Sequence, residues 1–180
     1  MSLLKNSTKF VCFSLISINF NATAEILNLC SNDENIIFSC VTKKKIISIC
    51  EIKQQANQSK IQYRFGTSNR IDFAYPDDLS HYKPSSFTRS FTKWDNGSAS
   101  LFINFKNGKY TYTIYSDLVI GETEAMNEDK TGEYGHHAGI TVNRNEKEIS
   151  DIKCNTDIPN VADPWDVIKT LEPLIPNTDQ

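Results

Sequence analysis

One short segment concentrates the side chains that could bind a metal ion or move a proton. It holds Glu133, Tyr134, His136 and His137, whereas only one other histidine occurs in the chain. Imidazole nitrogens and carboxylate oxygens are common ligands of divalent metals. Adjacent residues of a β-strand point to opposite faces. The two histidines would therefore share one ion only if the segment formed a bent loop.

Such a loop would need Gly135 and Gly139 to bend the chain on either side of the histidines. We predict a loop from Glu124 to Gly135, and we take Glu133, Tyr134, His136 and His137 at its end as a candidate contact loop for a protein partner. Tyrosine in a loop offers a large contact area at a small entropic cost. The alternative is a metal-binding protein or metal-dependent enzyme centred on His136 and His137. No third ligand occurs at a recognisable spacing, so we assign neither a metal nor a cofactor.

Other catalytic patterns do not occur in the sequence. There is no G-x-S-x-G element and no glycine-rich phosphate loop. The lack of a C-x-x-C pair argues against a zinc ribbon and against a thioredoxin-type redox site. The paired acids Asp77 and Asp78 fall in a predicted surface connection, where solvation explains them. We name no catalytic residue and predict a protein that is not an enzyme.

The N-terminus has the layout of a secretory signal. Basic residues precede an apolar run from Phe10 to Phe20, and Ala22-Thr23-Ala24 provides an A-x-A cleavage site. The run is shorter than the roughly 20 residues that span a bilayer. We predict that residues 1–24 are a signal peptide, that the mature chain begins at Glu25, and that the protein is periplasmic or secreted.

The charge balance argues against a nucleic-acid partner. The chain has 180 residues, of which 19 are basic and 22 acidic, a net charge of −3. Loss of Lys5 and Lys9 with the signal leaves 17 basic residues and a net charge of −5. The one basic cluster, Lys43-Lys44-Lys45, reads as a solvated turn. An acidic exported domain is suited to a cationic partner, so we predict a protein or envelope partner and no stable membrane insertion after signal removal.

Four cysteines follow the signal, at Cys30, Cys40, Cys50 and Cys154. In an oxidising compartment this number predicts two disulfides. A hairpin centred on the lysine turn places Cys40 opposite Ile47 and points Cys50 to the other face, which disfavours a bridge between them. Cys154 lies on the core-facing side of its own predicted strand, as Cys40 does. We therefore predict the pairs Cys40–Cys154 and Cys30–Cys50.

Apolar residues recur with period two over most of the remaining chain, which is typical of half-buried strands. The predicted hairpins span residues 36–50, 61–75, 101–115 and 138–154. Asn107-Gly108 predicts a type I′ turn that places Phe105 opposite Tyr110. Further on, Asp163 as an N-cap and Pro164 at the first helical position predict a short helix that ends near Leu171, with frayed residues after Pro173.

These elements predict an all-β protein: a single antiparallel β-sandwich or small barrel of about eight strands, cross-linked by disulfides, with a short C-terminal helix. Residues 25–156 would form the β domain and residues 157–180 a C-terminal tail that carries the helix. The oligomeric state stays open.

Several short motifs resemble those of exported bacterial β-domain proteins of uncharacterised function. They are Phe38-Ser39-Cys40, Ser48-Ile49-Cys50, Tyr63-Arg64-Phe65-Gly66, Tyr75-Pro76, the run from Phe105 to Tyr110, and Lys153-Cys154. In size, acidity, export and all-β character the chain is also similar to the periplasmic lysozyme inhibitors, in which a loop bearing S-G-x-x-Y enters the lysozyme cleft. The nearest segment here, Thr131-Gly132-Glu133-Tyr134, has threonine for serine and one residue fewer between glycine and tyrosine.

We therefore expect an exported, non-enzymatic binding protein. Its most specific form would be an inhibitor of a cell-wall hydrolase, or an immunity protein against a secreted toxin. A structural component of the cell envelope is a further alternative.

Overall fold

The computed structural model describes residues 26–54, 59–121, 134–155, 157–158, 160 and 162–177. The predicted signal peptide, Glu133 and the rest of the predicted loop before it lie outside the described residues. In the described part of the chain, nine strands form two antiparallel sheets.

The first sheet has the strand order β1-β2-β3-β4. Its strands are β1 (Asn35–Val41), β2 (Ile46–Lys53), β3 (Ser59–Thr67) and β4 (Arg70–Tyr75). The second sheet has the order β5-β6-β7-β8-β9. Its strands are β5 (Phe87–Lys93), β6 (Ala99–Asn107), β7 (Tyr110–Ile120), β8 (Tyr134–Arg144) and β9 (Lys147–Lys153). Two short 3-10 helices connect the sheets, at Leu79–His81 and Pro84–Ser86.

The two sheets pack face to face through aromatic side chains. The ring centroid of Phe105 on β6 lies 5.0 Å from that of Tyr63 on β3 and 4.5 Å from that of Tyr75 on β4. Phe73 on β4 stacks on Tyr112 of β7 at 5.5 Å. Aromatic pairs of this kind add about 0.5–1.5 kcal/mol each beyond the burial of their surface. The predicted all-β class is confirmed, as a sandwich of two sheets rather than a small barrel.

The segment that precedes β1 covers the outer face of the first sheet. The backbone oxygen of Leu27 accepts a hydrogen bond from the Ser39 hydroxyl at 2.9 Å, and the backbone nitrogen of Leu29 donates to Ser48 Oγ at 3.0 Å. Both serines are fully buried. Buried polar groups need such partners. The serines on this face of β1 and β2 therefore bind the backbone of the covering segment instead of water.

A buried ion pair holds the same segment in place. Arg64 on β3 donates from Nη1 and Nη2 to the two carboxylate oxygens of Glu34, at 2.6 and 2.7 Å. Its Nη1 also donates to the backbone oxygen of Leu29 at 2.8 Å, and its Nε donates to Gln62 Oε1 at 2.8 Å. The two charged side chains are only 8% and 9% exposed. The bidentate geometry satisfies the guanidinium donors that burial removes from water.

Two disulfides cross-link the sandwich. One joins Cys30 in the covering segment to Cys50 on β2, with Cα atoms 5.4 Å apart. The other joins Cys40 on β1 to Cys154, the residue after β9, with Cα atoms 5.7 Å apart. Both pairs are those predicted from the sequence. The register behind the prediction is also confirmed, because Cys40 lies opposite Ile47.

The β6–β7 hairpin has a register that differs from the predicted one by two residues. Phe105 lies opposite Tyr112 and not opposite Tyr110. The turn centre comprises Gly108 and the lysine after it, and only Gly108 has a positive φ, of 59°. This pattern is typical of a type II′ turn rather than the predicted type I′ turn. Because a shift of two residues preserves the faces of a strand, the predicted apolar stripe still faces the core.

The C-terminal helix lies against the sandwich. Helix α1 (Pro164–Leu171) begins after Asp163, whose side chain accepts a hydrogen bond from the backbone nitrogen of Trp165 at 2.9 Å. The predicted helix and its cap are confirmed. The buried residues of α1 are Pro164, Val167, Ile168 and Leu171. No helix in the described residues has the length and hydropathy that a membrane-spanning helix needs.

The residues that follow α1 are packed, so the prediction that they are frayed is wrong as far as residue 177. Ile175 is 2% exposed, and its backbone oxygen accepts a hydrogen bond from Nε of Arg89 at 3.1 Å. The backbone nitrogen of Arg89 donates to the backbone oxygen of Pro176 at 3.3 Å. The C-terminal segment therefore binds along β5, which is the edge strand of the second sheet.

Candidate functional site

The two adjacent histidines do not form one metal site. Strand β8 begins at Tyr134 and pairs with β7 from there onward, with Tyr134 opposite Ile120. His136 and His137 therefore lie in a regular strand, and the predicted contact loop is wrong for these residues. Their side chains point to opposite faces of the sheet. His136 is half-buried and His137 is exposed, so one ion cannot bind both, while Glu133 lies outside the described residues.

His136 forms a structural hydrogen bond. Its Nε2 lies 3.0 Å from the backbone oxygen of Ala162 and 3.3 Å from Oγ of Ser116. A carbonyl oxygen only accepts, so Nε2 carries the proton in the contact with Ala162. The Ser116 hydroxyl donates to the same carbonyl oxygen. His136 therefore cannot act as a base toward this serine, which is also 1% exposed.

One other group brings three possible metal ligands together within the described residues. It consists of Cys30, Glu34 and Cys50. Both sulfurs belong to the disulfide, and the carboxylate is the partner of Arg64. Metals bind thiolates rather than disulfide sulfur, so the donor set does not fit a metal ion.

A polar pocket of about 320 Å³ lies where β7, β8 and β9 run side by side. We call it the β7–β9 pocket and define it by Tyr115, Asp117, His137, Asp151 and Lys153. Tyr115 and Asp117 are two residues apart on β7 and share its outer face. Asp117 lies opposite His137 on β8, so the strand register brings these residues together. The pocket therefore belongs to the solvent-facing side of the second sheet.

A glycine allows one wall of this pocket to form. Gly139 lies opposite Tyr115 on β7 and opposite Lys153 on β9. Because it has no side chain, the Tyr115 ring crosses over it, and the hydroxyl donates to Asp151 Oδ1 at 3.0 Å. Burial raises the pKa of the Tyr115 phenol, and the hydrogen bond to Asp151 and the nearby carboxylate charges raise it further. The phenol therefore remains a neutral donor at physiological pH.

Asp117 carries an oxygen atom that lacks a partner. Its Oδ1 is shielded from solvent and has no hydrogen-bond partner in the part of the chain that the structure describes. A shielded acceptor without a donor costs about 1–3 kcal/mol, and more when it is charged. Among the described residues, the only lysine or arginine lining the pocket is Lys153, whose side chain is 78% exposed and whose Nζ lies 3.9 Å from Asp151. The pocket thus has a surplus of acceptors over donors.

This arrangement suits binding better than catalysis. Two carboxylates, a neutral phenol and an exposed imidazole can receive a cationic group that donates several hydrogen bonds. Of the predicted site residues, His136 and His137 both line this pocket. His137 lies opposite Asp117 on its outer face, whereas the His136 ring is hydrogen-bonded to Ala162. No sequence pattern predicted Tyr115, Asp117, Asp151 or Lys153 as site residues. A usable signal was Gly139, because a glycine inside a strand often marks a close approach.

Fold and pocket define a disulfide-bonded, two-sheet antiparallel β protein with an acidic pocket on the outer face of one sheet. Comparison of the chain with models of known protein families, with curated proteins and with solved structures finds no match.

Proposed function

We propose that the protein is an exported, non-enzymatic binding protein that receives a cationic side chain of a protein partner in the β7–β9 pocket. The observation that carries this proposal is the surplus of acceptors in the pocket, where Asp117 and Asp151 face one weakly paired cation, Lys153, and Asp117 Oδ1 has no hydrogen-bond partner within the described residues. A lysine or arginine of the partner would supply donors to these carboxylates. Charge-assisted hydrogen bonds to a carboxylate are about twice as strong as neutral ones.

Two further observations support the proposal. Disulfides persist in oxidising compartments, and the two disulfides of the sandwich are compatible with export through the N-terminal signal-like segment. The net charge of −3 favours encounter with a basic protein rather than an acidic one. In its most specific form, the partner is a cationic cell-wall hydrolase that the protein inhibits, or a secreted toxin against which it gives immunity.

A binding assay with purified cationic cell-wall hydrolases, beginning with a lysozyme, tests this function. The wild type should bind one of them and slow the lysis of cell-wall substrate. Asp117→Asn keeps the size of the side chain and removes its charge, so affinity should fall about thirtyfold or more, as for loss of a buried interfacial charge. Asp33→Asn, at an exposed position in the covering segment, is the charge-matched control and should behave as the wild type.

Two outcomes would contradict the proposal. One is undiminished lysis with no retained partner, both for the hydrolases and for a periplasmic extract. The other is a retained partner whose affinity is the same for the wild type and for Asp117→Asn, because that partner would bind elsewhere on the protein.

A further inference from the structure

A second pocket, with the opposite charge, lies between the two sheets near the β1–β2 turn. It has a volume of about 520 Å³. Four lysines line it, and its apolar part comes from one residue of each sheet. We call it the lysine pocket and define it by Lys43, Lys44, Lys45, Lys153, Phe65 and Ile152. Four cations around one concavity are unexpected in a chain with a net charge of −3.

The turn that carries three of these lysines is held in one conformation by Thr42. The threonine hydroxyl donates to the backbone oxygen of Lys45 at 3.0 Å and accepts from the backbone nitrogens of Lys44 and Lys45, at 3.3 and 3.0 Å. Thr42 is buried, and its backbone nitrogen also donates to the backbone oxygen of Lys45 at 2.7 Å. A side chain that binds its own turn in this way rigidifies the backbone. The backbone of the three lysines is therefore held in one conformation.

Half of this positive charge has no ion-pair partner within the described residues. Lys45 forms an ion pair with Asp72 at 2.5 Å. Lys153 forms a long ion pair, of 3.9 Å, with Asp151, the one acidic residue among the described residues that line the pocket. Lys43 and Lys44 are exposed and have no ion pair within the described residues. Like charges on neighbouring side chains repel each other, and an anion in the pocket would relieve this repulsion.

The pocket also has an apolar wall. Phe65 on β3 and Ile152 on β9 are half-buried and pack against the hydrophobic core from opposite sheets. Their remaining apolar surface faces the space below the lysines. Contact with a hydrocarbon group would remove that surface from water. The lysines and the apolar wall therefore select different parts of the same ligand.

We propose that the lysine pocket binds an amphiphilic anion, a single hydrocarbon chain that ends in a carboxylate. The hydrocarbon chain would lie against Phe65 and Ile152, and the carboxylate would accept hydrogen bonds from Lys43 and Lys44. This site is separate from the proposed partner contact, because it needs neither Asp117 nor Tyr115. The two pockets meet at Asp151 and Lys153, which line both.

Calorimetric titration of the purified protein with decanoate, below its micelle concentration, tests the proposal. Affinity should rise by up to about fourfold per methylene in a series from butyrate to decanoate, as expected for hydrocarbon burial. Decyltrimethylammonium has the opposite charge and an alkyl chain one carbon longer than that of decanoate, so it should bind at least tenfold more weakly in spite of its longer chain. Inorganic phosphate, which has no chain, should also bind at least tenfold more weakly.

A matched pair of charge variants tests the role of the turn. Lys43→Glu/Lys44→Glu should weaken decanoate binding about tenfold, the size expected for two exposed charges. Lys106→Glu/Lys109→Glu changes the net charge equally at the exposed β6–β7 hairpin and should leave the affinity unchanged. The ligand series needs no variant, so it remains decisive even if a variant folds poorly.

Three results would overturn this inference. They are equal binding of decanoate and decyltrimethylammonium, equal binding of phosphate and decanoate, or equal losses in the two double variants. Asp117→Asn should bind decanoate as the wild type does. A failure of the hydrolase assay would therefore not contradict decanoate binding in the lysine pocket. Likewise, a failure to bind decanoate would not contradict hydrolase binding in the β7–β9 pocket.

Discussion

The hydroxyl oxygen of Tyr115 lies 2.5 Å from the position that a Cβ atom would occupy on Gly139. These residues face each other on β7 and β8. The missing side chain allows the phenol to cross one strand and bind Asp151 on the next strand, at 3.0 Å. A single glycine thus sets the position of a wall of the β7–β9 pocket.

Gly139→Ala should therefore destabilise the fold and displace Tyr115. The new methyl group would also lie 2.5 Å from the backbone oxygen of Ile152, which a strand cannot easily move. We expect a loss of about 2–3 kcal/mol in the free energy of unfolding, as for overpacking of a tight site. Urea denaturation measures this loss.

Gly135→Ala is the matched control in the same strand. There the nearest atom to a new Cβ is His137 Nε2 at 3.4 Å, the end of an exposed side chain. We expect a change within about 0.5 kcal/mol, because surface substitutions that meet no obstacle have small effects. Similar losses of stability in the two variants would contradict the claim that the contact with Tyr115 destabilises Gly139→Ala.

Stability should fall at alkaline pH because two tyrosines, Tyr63 and Tyr115, have raised pKa values in the folded protein. Burial raises the pKa of Tyr63 and of Tyr115 above the ordinary value of 10.0, and Asp151 adds to the shift of Tyr115. The unfolded chain ionises near pH 10, so the folded state binds more protons above that pH. The stabilisation is complete below about pH 10 and is lost as the pH rises toward the folded-state values.

Tyr115→Phe tests this assignment. The variant removes one titrating phenol, so the urea midpoint should decline less between pH 9 and pH 11.5 than in the wild type. Near neutral pH we expect a loss of about 1 kcal/mol from the missing hydrogen bond to Asp151. Identical alkaline declines in the two proteins would contradict a raised pKa for Tyr115.

Glu34→Gln should be costly, because it leaves the guanidinium of Arg64 without its counter-ion. Loss of one member of a buried pair costs about 3–5 kcal/mol, and the neutral amide would recover part of this. We expect a loss of about 3 kcal/mol in thermal or urea unfolding. Asp166→Asn breaks the exposed pair with Lys169 and should cost below about 1 kcal/mol. Equal effects would contradict burial of the Arg64–Glu34 pair.

Substitution of His136 should destabilise the protein more than substitution of His137. His136→Ala removes the hydrogen bond to Ala162 and should cost about 1–2 kcal/mol, whereas His137→Ala should change stability by less than about 0.5 kcal/mol. Thermal unfolding with and without Zn²⁺ completes the test, because a ligand that binds only the folded state raises Tm. A rise in Tm that both substitutions abolish would favour the metal-binding alternative.

Local patterns predicted the parts of the fold that local chemistry controls. The lysine turn fixed the β1–β2 register, from which the bridge between Cys40 and Cys154 followed. The cap at Asp163 located α1. Asn107-Gly108 predicts a type I′ turn, but positive φ at both turn positions occurs instead in the β8–β9 hairpin, at Asn145 and Glu146. Turn propensity is a preference, and packing of the two sheets decides the register.

The candidate site was harder to predict because its residues come from three strands. Alternation shows that Tyr115 and Asp117 share a face, but only the register shows that His137 lies opposite Asp117. This pairing also requires β8 to begin before His137. Glycine next to polar residues predicts a loop at that point of the sequence, so the start of β8 at Tyr134 was not predicted. The packed position of Ile175 was missed for a related reason, because its partner Arg89 is distant in sequence.

The most direct test of the central claim is an NMR titration of the protein with N-acetyl-arginine amide, a small analogue of a cationic side chain. We predict saturable shifts that are confined to the carboxyl resonance of Asp117 and the backbone amides of Tyr115 and His137, with no shifts at Lys43 and Lys44. The shifts should disappear in Asp117→Asn. Shifts that persist in that variant, or that never reach the β7–β9 pocket, would contradict the claim that this pocket receives a cationic group.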